Sequence, residues 1–161
     1  MGAAGAGKTV VGSRLAAMLG VGFVDGDDHH PPENVAKMAA GIPLTDEDRA
    51  GWLRVLAARL AEARAKNAGL VVACSALRRA YRDVLREGDP DVRFIYLEAA
   101  KPVLTKRVAR RRSHFMPPTL VVSQLATLEP PEPDEGAWVY DAELPAHEIV
   151  TDIVSRIRGT A

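Results

Sequence analysis

Residues 2–9 read Gly2-Ala3-Ala4-Gly5-Ala6-Gly7-Lys8-Thr9, which matches G-x-x-x-x-G-K-[ST] at every fixed position. Glycines in this pattern adopt backbone angles that other residues avoid, so that successive N–H groups can turn inward around a phosphate. All eight residues are therefore candidate nucleotide contacts. Lys8 is predicted to reach the β- and γ-phosphates, and the Thr9 hydroxyl to bind Mg²⁺. A plain Gly/Ala turn before a helix leaves the Lys-Thr pair unexplained.

The loop opens directly into a predicted helix over residues 8–19, with Val11, Leu15 and Met18 on one face. The positive end of this helix would point at the same phosphates. A phosphate loop normally follows a buried β-strand, yet only Met1 precedes Gly2 here. We expect the sequence to start several residues inside a longer natural protein, with the first strand of the sheet missing from it.

The size and composition of the chain suit one α/β domain spanning residues 1–161, because 161 residues with 47% hydrophobic content can bury an adequate core. Twenty-one basic residues balance twenty-one acidic ones, so neither nucleic acid nor a membrane surface is expected as a partner. Cys74 is the single cysteine, which excludes an internal disulfide and is typical of the reducing cytoplasm. No apolar run approaches the roughly 20 residues of a membrane span.

A cluster of acidic residues and histidines follows the first predicted strand, residues 21–24, and reads Asp25-Gly26-Asp27-Asp28-His29-His30. Open α/β sheets bind ligands at the carboxyl ends of their strands. Asp25 and Asp27 would share one side of an extended segment. Asp25 is predicted to hold Mg²⁺ through water, Asp27 to accept the proton of a substrate hydroxyl, and His30 to contact substrate. The simpler interpretation is an Asp/Gly turn before a helix start.

Arginines at two further positions are candidate anion contacts. Thr45-Asp46-Glu47-Asp48 is predicted to cap a long helix, and Arg49 in its first turn opposes the helix dipole, so it either faces an anion or is simply exposed. A buried strand over residues 70–74 leads to Arg78, Arg79 and Arg82. Arginines at a strand's carboxyl end suit bidentate capture of a carboxylate, although a solvated helix face remains the alternative.

The third basic segment follows a predicted strand over residues 92–97 and a helix from Pro102, and contains Lys106, Arg107, Arg110, Arg111 and Arg112. Such residues can simply complement a helix dipole. Next to the proline-bounded residues 113–118, however, they suggest a lid over about residues 107–128 that brings Arg107 and Arg111 to a triphosphate. RNA binding competes less well, because interleaved aromatics are missing and the net charge is zero.

The motifs taken together resemble one known family, the gluconokinases of the P-loop, nucleoside-monophosphate-kinase-like group. The likeness runs over nearly the whole chain from Gly2. It is carried by a set of short motifs beyond the phosphate loop, namely Asp25-Gly26-Asp27, His30-Pro31, Lys37-Met38, Asp48-Arg49, Trp52-Leu53, Cys74-Ser75-Ala76-Leu77, Tyr81-Arg82-Asp83, His114-Phe115-Met116-Pro117 and Ser123-Gln124.

This resemblance implies ATP- and Mg²⁺-dependent phosphorylation of the 6-hydroxyl of D-gluconate, a three-layer fold with a five-stranded parallel sheet between helices, a mobile helical lid and a homodimer. It implies catalytic roles for Lys8, Asp27 and the lid arginine Arg111. It also implies gluconate contacts by His30, Arg49 and Arg82. A shikimate-kinase-like enzyme and a nucleotide-binding module without transfer activity remain the alternatives.

Overall fold

The computed structural model describes residues 1–110, 117 and 119–159. In this part of the chain the elements follow in the order α1 (Lys8–Leu19), β1 (Gly22–Asp25), α2 (Pro32–Ala39), α3 (Asp46–Ala65), β2 (Leu70–Ala73), α4 (Arg79–Gly88), β3 (Ile95–Glu98), α5 (Lys101–Ala109), α6 (Thr119–Thr127), β4 (Trp138–Asp141) and α7 (Ala146–Gly159). Short 3₁₀ turns occupy Gly26–His29 and Pro133–Glu135. The α/β class predicted from the sequence is confirmed.

The strands form two separate parallel pairs. β1 pairs with β2, from Gly22 opposite Leu70 to Asp25 opposite Ala73. β3 pairs with β4, from Ile95 opposite Trp138 to Glu98 opposite Asp141. The residues that the structure describes contain four strands, and the finer expectation of a five-stranded sheet without its first strand stays a prediction.

Met1, followed directly by Gly2, lies between the two strand pairs. Its amino group donates a hydrogen bond to the Ile95 carbonyl, and the Leu97 N–H donates to the Met1 carbonyl at 3.0 Å. On the other side, the Gly2 N–H donates to the Ser75 carbonyl at 3.1 Å. A parallel strand makes this pattern of bonds with its neighbours. Beyond Met1, a cavity of about 320 Å³ separates the apolar side chains of β2 and β3.

Helices cover both strand pairs and bury two apolar clusters. One cluster joins α1 and α7 through Val11, Leu15 and Ile153, and the other joins α3 to β2 and α4 through Trp52 and Leu56. The predicted capping of α3 is confirmed, because Thr45 and Asp48 exchange side-chain to backbone hydrogen bonds in both directions. Met18, near the end of α1, is 49% exposed.

A helix that crosses a membrane needs roughly 20 mostly apolar residues. Across the described ranges, none of the helices has the combination of length and apolar character that crossing a bilayer requires.

Candidate functional site

The phosphate-binding loop precedes α1 and packs beside the end of β3. Its backbone geometry requires glycine at two positions. Gly2 has φ +135°, and a Cβ there would lie 2.6 Å from the Leu97 carbonyl oxygen. Gly5 has φ +86°, and a Cβ there would lie 2.8 Å from the Leu104 carbonyl oxygen. Only glycine fits such a left-handed backbone at so close an approach. The loop is thus fixed tightly against β3 and α5.

The start of α1 faces a small cleft. Gly7 is the left-handed residue that precedes the helix, and α1 begins at Lys8. The first backbone N–H groups of a helix have no carbonyl partner inside it, so they remain able to bind an anion. The Lys8 ammonium donates to the Ala3 carbonyl at 3.1 Å, which holds the side chain over the loop. Lys8, Thr9 and Gly7 all line the cleft.

Thr9 and Asp25, the predicted Mg²⁺ residues, are brought together. The Thr9 hydroxyl donates to one carboxylate oxygen of Asp25 at 2.7 Å, and the backbone N–H of Asp27 donates to the other at 3.1 Å. Oxygen donors of this kind suit Mg²⁺, which usually keeps several waters and substrate phosphates as ligands. No group of three His, Cys, Asp or Glu side chains forms a metal site within the described residues. The pair thus fits an ion that phosphates and water help to hold.

Asp27 lines the same cleft as Lys8 and Thr9. It lies in the 3₁₀ turn Gly26–His29, so the expected extended segment from Asp25 to Asp27 is wrong. The turn forms because the Asp25 carboxylate caps it through the Asp27 N–H. The indole N–H of Trp52 donates to the Gly26 carbonyl at 2.7 Å and fixes the turn from below. Asp27 therefore reaches the cleft through a capped turn.

His30 lies against Trp52 in the wall of the cleft. The two rings stack with centroids 4.1 Å apart and planes at 16°. Burial lowers the pKa of His30 to about 4, with Arg49 acting in the same direction and Asp27 opposing it. The imidazole is thus neutral at pH 7. Its buried Nδ1 atom has no hydrogen-bond partner in the described part of the chain, which leaves a polar atom for a ligand in the cleft.

Arg49 points from the first turn of α3 into the cleft and is 7% exposed. Its guanidinium lies 5.7 Å from the centre of the Tyr81 ring. Burial lowers the pKa of Arg49, and its Nε atom has no hydrogen-bond partner among the described residues. Burying a donor without an acceptor is costly, and an anionic ligand would supply the acceptor. Of the two interpretations left open for Arg49, the structure favours the anion contact over simple exposure.

Arg82 is not brought to the cleft. Its side chain is fully buried, and its guanidinium forms a two-pronged ion pair with Glu135 at 2.6 and 2.7 Å. The third nitrogen donates to the carbonyls of Ala76 and Glu129. The expectation of a direct gluconate contact is therefore corrected, because the guanidinium is committed to protein acceptors.

The predicted lid is only partly described. Arg107 donates to the Gly5 carbonyl at 3.5 Å and so lies beside the phosphate loop. Arg111 lies outside the described residues, as do 112–116 and 118. In α6, the Gln124 side chain accepts a hydrogen bond from the backbone N–H of Ala4 at 2.7 Å.

Two polar cleft residues were not assigned a role from the sequence. Ser75 follows β2, Gln124 comes from α6, and both line the cleft. Their motifs, Cys74-Ser75-Ala76-Leu77 and Ser123-Gln124, were visible in the sequence, but only the fold shows that they meet the phosphate loop.

Comparison with known proteins gives a consistent result. The family model described as Shikimate kinase matches residues 4–157. A curated gluconokinase from Gluconobacter oxydans is 48% identical over 159 residues, covering 99% of this chain and 89% of the relative. A solved gluconokinase from Sinorhizobium meliloti is 42% identical with a TM-score of 0.87, covering 100% of this chain and 90% of that one. A solved sugar kinase from Janibacter sp. is 44% identical with a TM-score of 0.91, covering 96% of this chain and 90% of that one.

Proposed function

Because this chain belongs to the gluconokinase family of shikimate-kinase-like P-loop kinases, we propose that it transfers the γ-phosphoryl group of ATP to the 6-hydroxyl of D-gluconate. The products are 6-phospho-D-gluconate and ADP. The observation that carries the proposal is the convergence of one phosphate-binding lysine, one carboxylate and one buried arginine on a single cleft, in Lys8, Asp27 and Arg49.

The reaction follows from what each side chain can do. Lys8 and the first amides of α1 hold the phosphates, while Arg49 pairs with the gluconate carboxylate. Asp27 accepts the proton as the hydroxyl oxygen bonds to the γ-phosphorus, and the bond from that phosphorus to the bridging oxygen breaks to release ADP. Positioning and charge neutralisation supply most of the acceleration in such transfers.

The remaining polar groups orient the reactants. His30 offers Nδ1 to a gluconate hydroxyl, and its neutral ring suits an uncharged partner. Bound Mg²⁺ neutralises phosphate charge, and Thr9 with Asp25, through water, are the residues that would hold it. Arg107 beside Gly5 and Arg111 in the lid are proposed to contact the nucleotide, together with residues 2–9. The lid spans about residues 107–128 within a single kinase domain of residues 1–161.

A coupled assay of ADP release tests the proposal against both alternatives. We expect ADP release with gluconate, and background release with shikimate or with no acceptor. Faster release with shikimate would instead identify a shikimate kinase, as the matching family model allows. Nucleotide binding without release for any acceptor would indicate a binding module.

The resemblance also supports a homodimer in the cytoplasm. Burial raises the pKa of the Cys74 thiol to about 11, so this cysteine acts as an inert apolar residue that needs no oxidising compartment. Sedimentation would show twice the 17.3 kDa of one chain if the dimer forms, and a single-chain mass would contradict it.

A further inference from the structure

The phosphate loop is held by two hydrogen-bond acceptors from distant parts of the chain. The Gly2 N–H donates to the carbonyl of Ser75, just after β2, at 3.1 Å. The Ala4 N–H donates to the side chain of Gln124 in α6 at 2.7 Å. The position of these acceptors therefore decides where the loop lies.

One buried guanidinium is attached next to both acceptors. Arg82 donates to the Ala76 carbonyl at 3.1 Å, one residue beyond Ser75, and to the Glu129 carbonyl at 3.0 Å, two residues beyond the end of α6. Ala76 has φ +44°, a backbone angle that costs energy for a residue with a side chain. A strained residue of this kind persists only when its surroundings fix it. The bond from Arg82 is one such constraint.

The residues that follow α6 are hydrogen-bonded to the segment that follows β2. The Glu129 N–H donates to the Leu77 carbonyl at 2.7 Å, and the Arg79 N–H donates to the Glu129 carboxylate at 2.8 Å. Arg82 itself is fixed by the carboxylate of Glu135, and its hydrogen bonds lower the pKa of Glu135 to about 2. The carboxylate is thus ionised at pH 7, and the four bonds of the guanidinium form one closed unit.

We propose that Arg82, held by Glu135, is a positioning residue that sets the phosphate loop by fixing the two segments that accept the hydrogen bonds of Gly2 and Ala4. Its role is exerted through protein contacts, so it touches neither nucleotide nor acceptor. The proposal rests on the proposed function, because it assumes that the loop binds ATP. A wild-type chain that binds no nucleotide would disprove that function and not the positioning.

The planar guanidinium group of arginine fits the acceptors around position 82. It reaches a carboxylate with two parallel bonds and two carbonyls with a third nitrogen, whereas lysine offers a single point charge. Arg82→Lys keeps the charge and loses this geometry. Arg79 provides a matched control on the same helix, because its guanidinium forms an exposed pair with Asp134, next to Glu135. Arg79→Lys should leave the loop unchanged.

The experiment measures four quantities in Arg82→Lys, Arg79→Lys and wild type: amide exchange, ADP affinity, and the KM values for ATP and gluconate. We expect Arg82→Lys to speed amide hydrogen exchange at Gly2 and Ala4 about tenfold, to weaken ADP binding in calorimetry about tenfold and to raise the KM for ATP. The KM for gluconate should stay within twofold. Arg79→Lys should match wild type in all four.

Two results would overturn the proposal. A raised KM for gluconate with unchanged nucleotide binding would restore Arg82 as a direct substrate contact. A lower Tm with unchanged exchange and ADP affinity, measured well below that Tm, would make the ion pair a purely structural one. If Arg82→Lys fails to fold, Glu135→Gln decides the question, since it keeps the side-chain shape and weakens the hold on Arg82. It should change exchange and ADP affinity in the same direction, and no change in either would refute the positioning role.

Discussion

Asp27 is the residue on which the proposed chemistry depends most directly. We expect Asp27→Asn to lower kcat by about 10²-fold or more, the usual contribution of a positioned general base, because an amide cannot take the hydroxyl proton. The affinity for ATP should change little, since the loop and Lys8 hold the phosphates. Kinetics with calorimetry for the nucleotide measure both quantities.

Asp28 is the natural control for that substitution, because it is the adjacent carboxylate and its side chain is exposed. Asp28→Asn should retain wild-type turnover. Equal losses of turnover and of ATP affinity in Asp27→Asn would show that the carboxylate supports binding and not proton transfer.

His30 makes a second prediction at the residue scale, on pH dependence. In the unfolded chain the imidazole takes up a proton near its ordinary pKa of 6.5, but in the folded protein only near pH 4. Between these values the unfolded state binds more protons, so stability falls as the pH drops from about 6.5 to about 4. His30→Phe keeps a ring against Trp52 and removes the titration, so its Tm should fall less steeply over that window.

The control for the pH experiment is the exposed His147 in α7. His147→Gln should leave the slope of Tm against pH unchanged. A His30→Phe protein with the same slope as wild type would show that other groups cause the acid sensitivity.

At the scale of the element, the first turn of α3 positions Arg49 in the cleft. The contribution of the Thr45 cap of this helix to stability can be measured by itself. Thr45 accepts a hydrogen bond from the Asp48 N–H at 3.2 Å. Thr45→Ala removes this acceptor and should lower the free energy of unfolding by about 1 kcal/mol, as capping residues usually do. Urea unfolding measures the loss. Thr151→Ala in the exposed part of α7 is the control. An equal loss of unfolding free energy in that variant would show that the Thr45 cap does not stabilise the protein specifically.

The elements also show what the sequence could predict. Local patterns placed α1 and the cap of α3 correctly, because glycine, lysine and capping residues act over a few positions. The apolar pattern predicted that β3 starts at Val92, which is too early. The Val92 N–H donates to the Asp89 carbonyl in a turn, and pairing with β4 starts only at Ile95. Apolar composition cannot register such a turn.

Long-range partners account for the site residues that sequence reasoning misplaced. Arg82 looked like an anion contact because its carboxylate partner, Glu135, lies 53 residues later in a proline-rich loop. The sequence predicted that Asp27 lies on an extended segment beside Asp25. In the structure Asp27 lies in a turn that the Asp25 carboxylate caps. The residue types indicated the chemistry, and only the packing shows which of them share a cleft.

At the scale of the whole molecule, the gap between β2 and β3 is the feature that most affects stability. The edges of both strands face a cavity of about 320 Å³, and Met1 bonds to the β3 side. Burial lowers the pKa of the Met1 amino group to about 5, so a charge is disfavoured there. Keeping a charged amino group at this buried position costs free energy.

We expect an added segment of about six apolar, β-branched residues before Met1 to raise the Tm by several degrees, since it would complete both ladders and bury apolar area. A Gly/Ser segment of equal length should not, and a segment with prolines at alternate positions would lack the N–H donors. Differential scanning calorimetry compares the three. An equal Tm for the apolar and Gly/Ser forms would mean that the gap does not accept a strand.

The stacked pair of Trp52 and His30 gives the molecule an optical reporter. Indole emission responds to nearby rings and hydrogen bonds, and this indole touches the ring that would meet gluconate and the turn that carries the proposed base. The second tryptophan, Trp138, lies in β4, where its ring contacts the guanidinium groups of Arg93 and Arg156. Binding of the sugar acid should therefore shift the emission wavelength of Trp52, so that ligand occupancy can be followed without labels and without turnover.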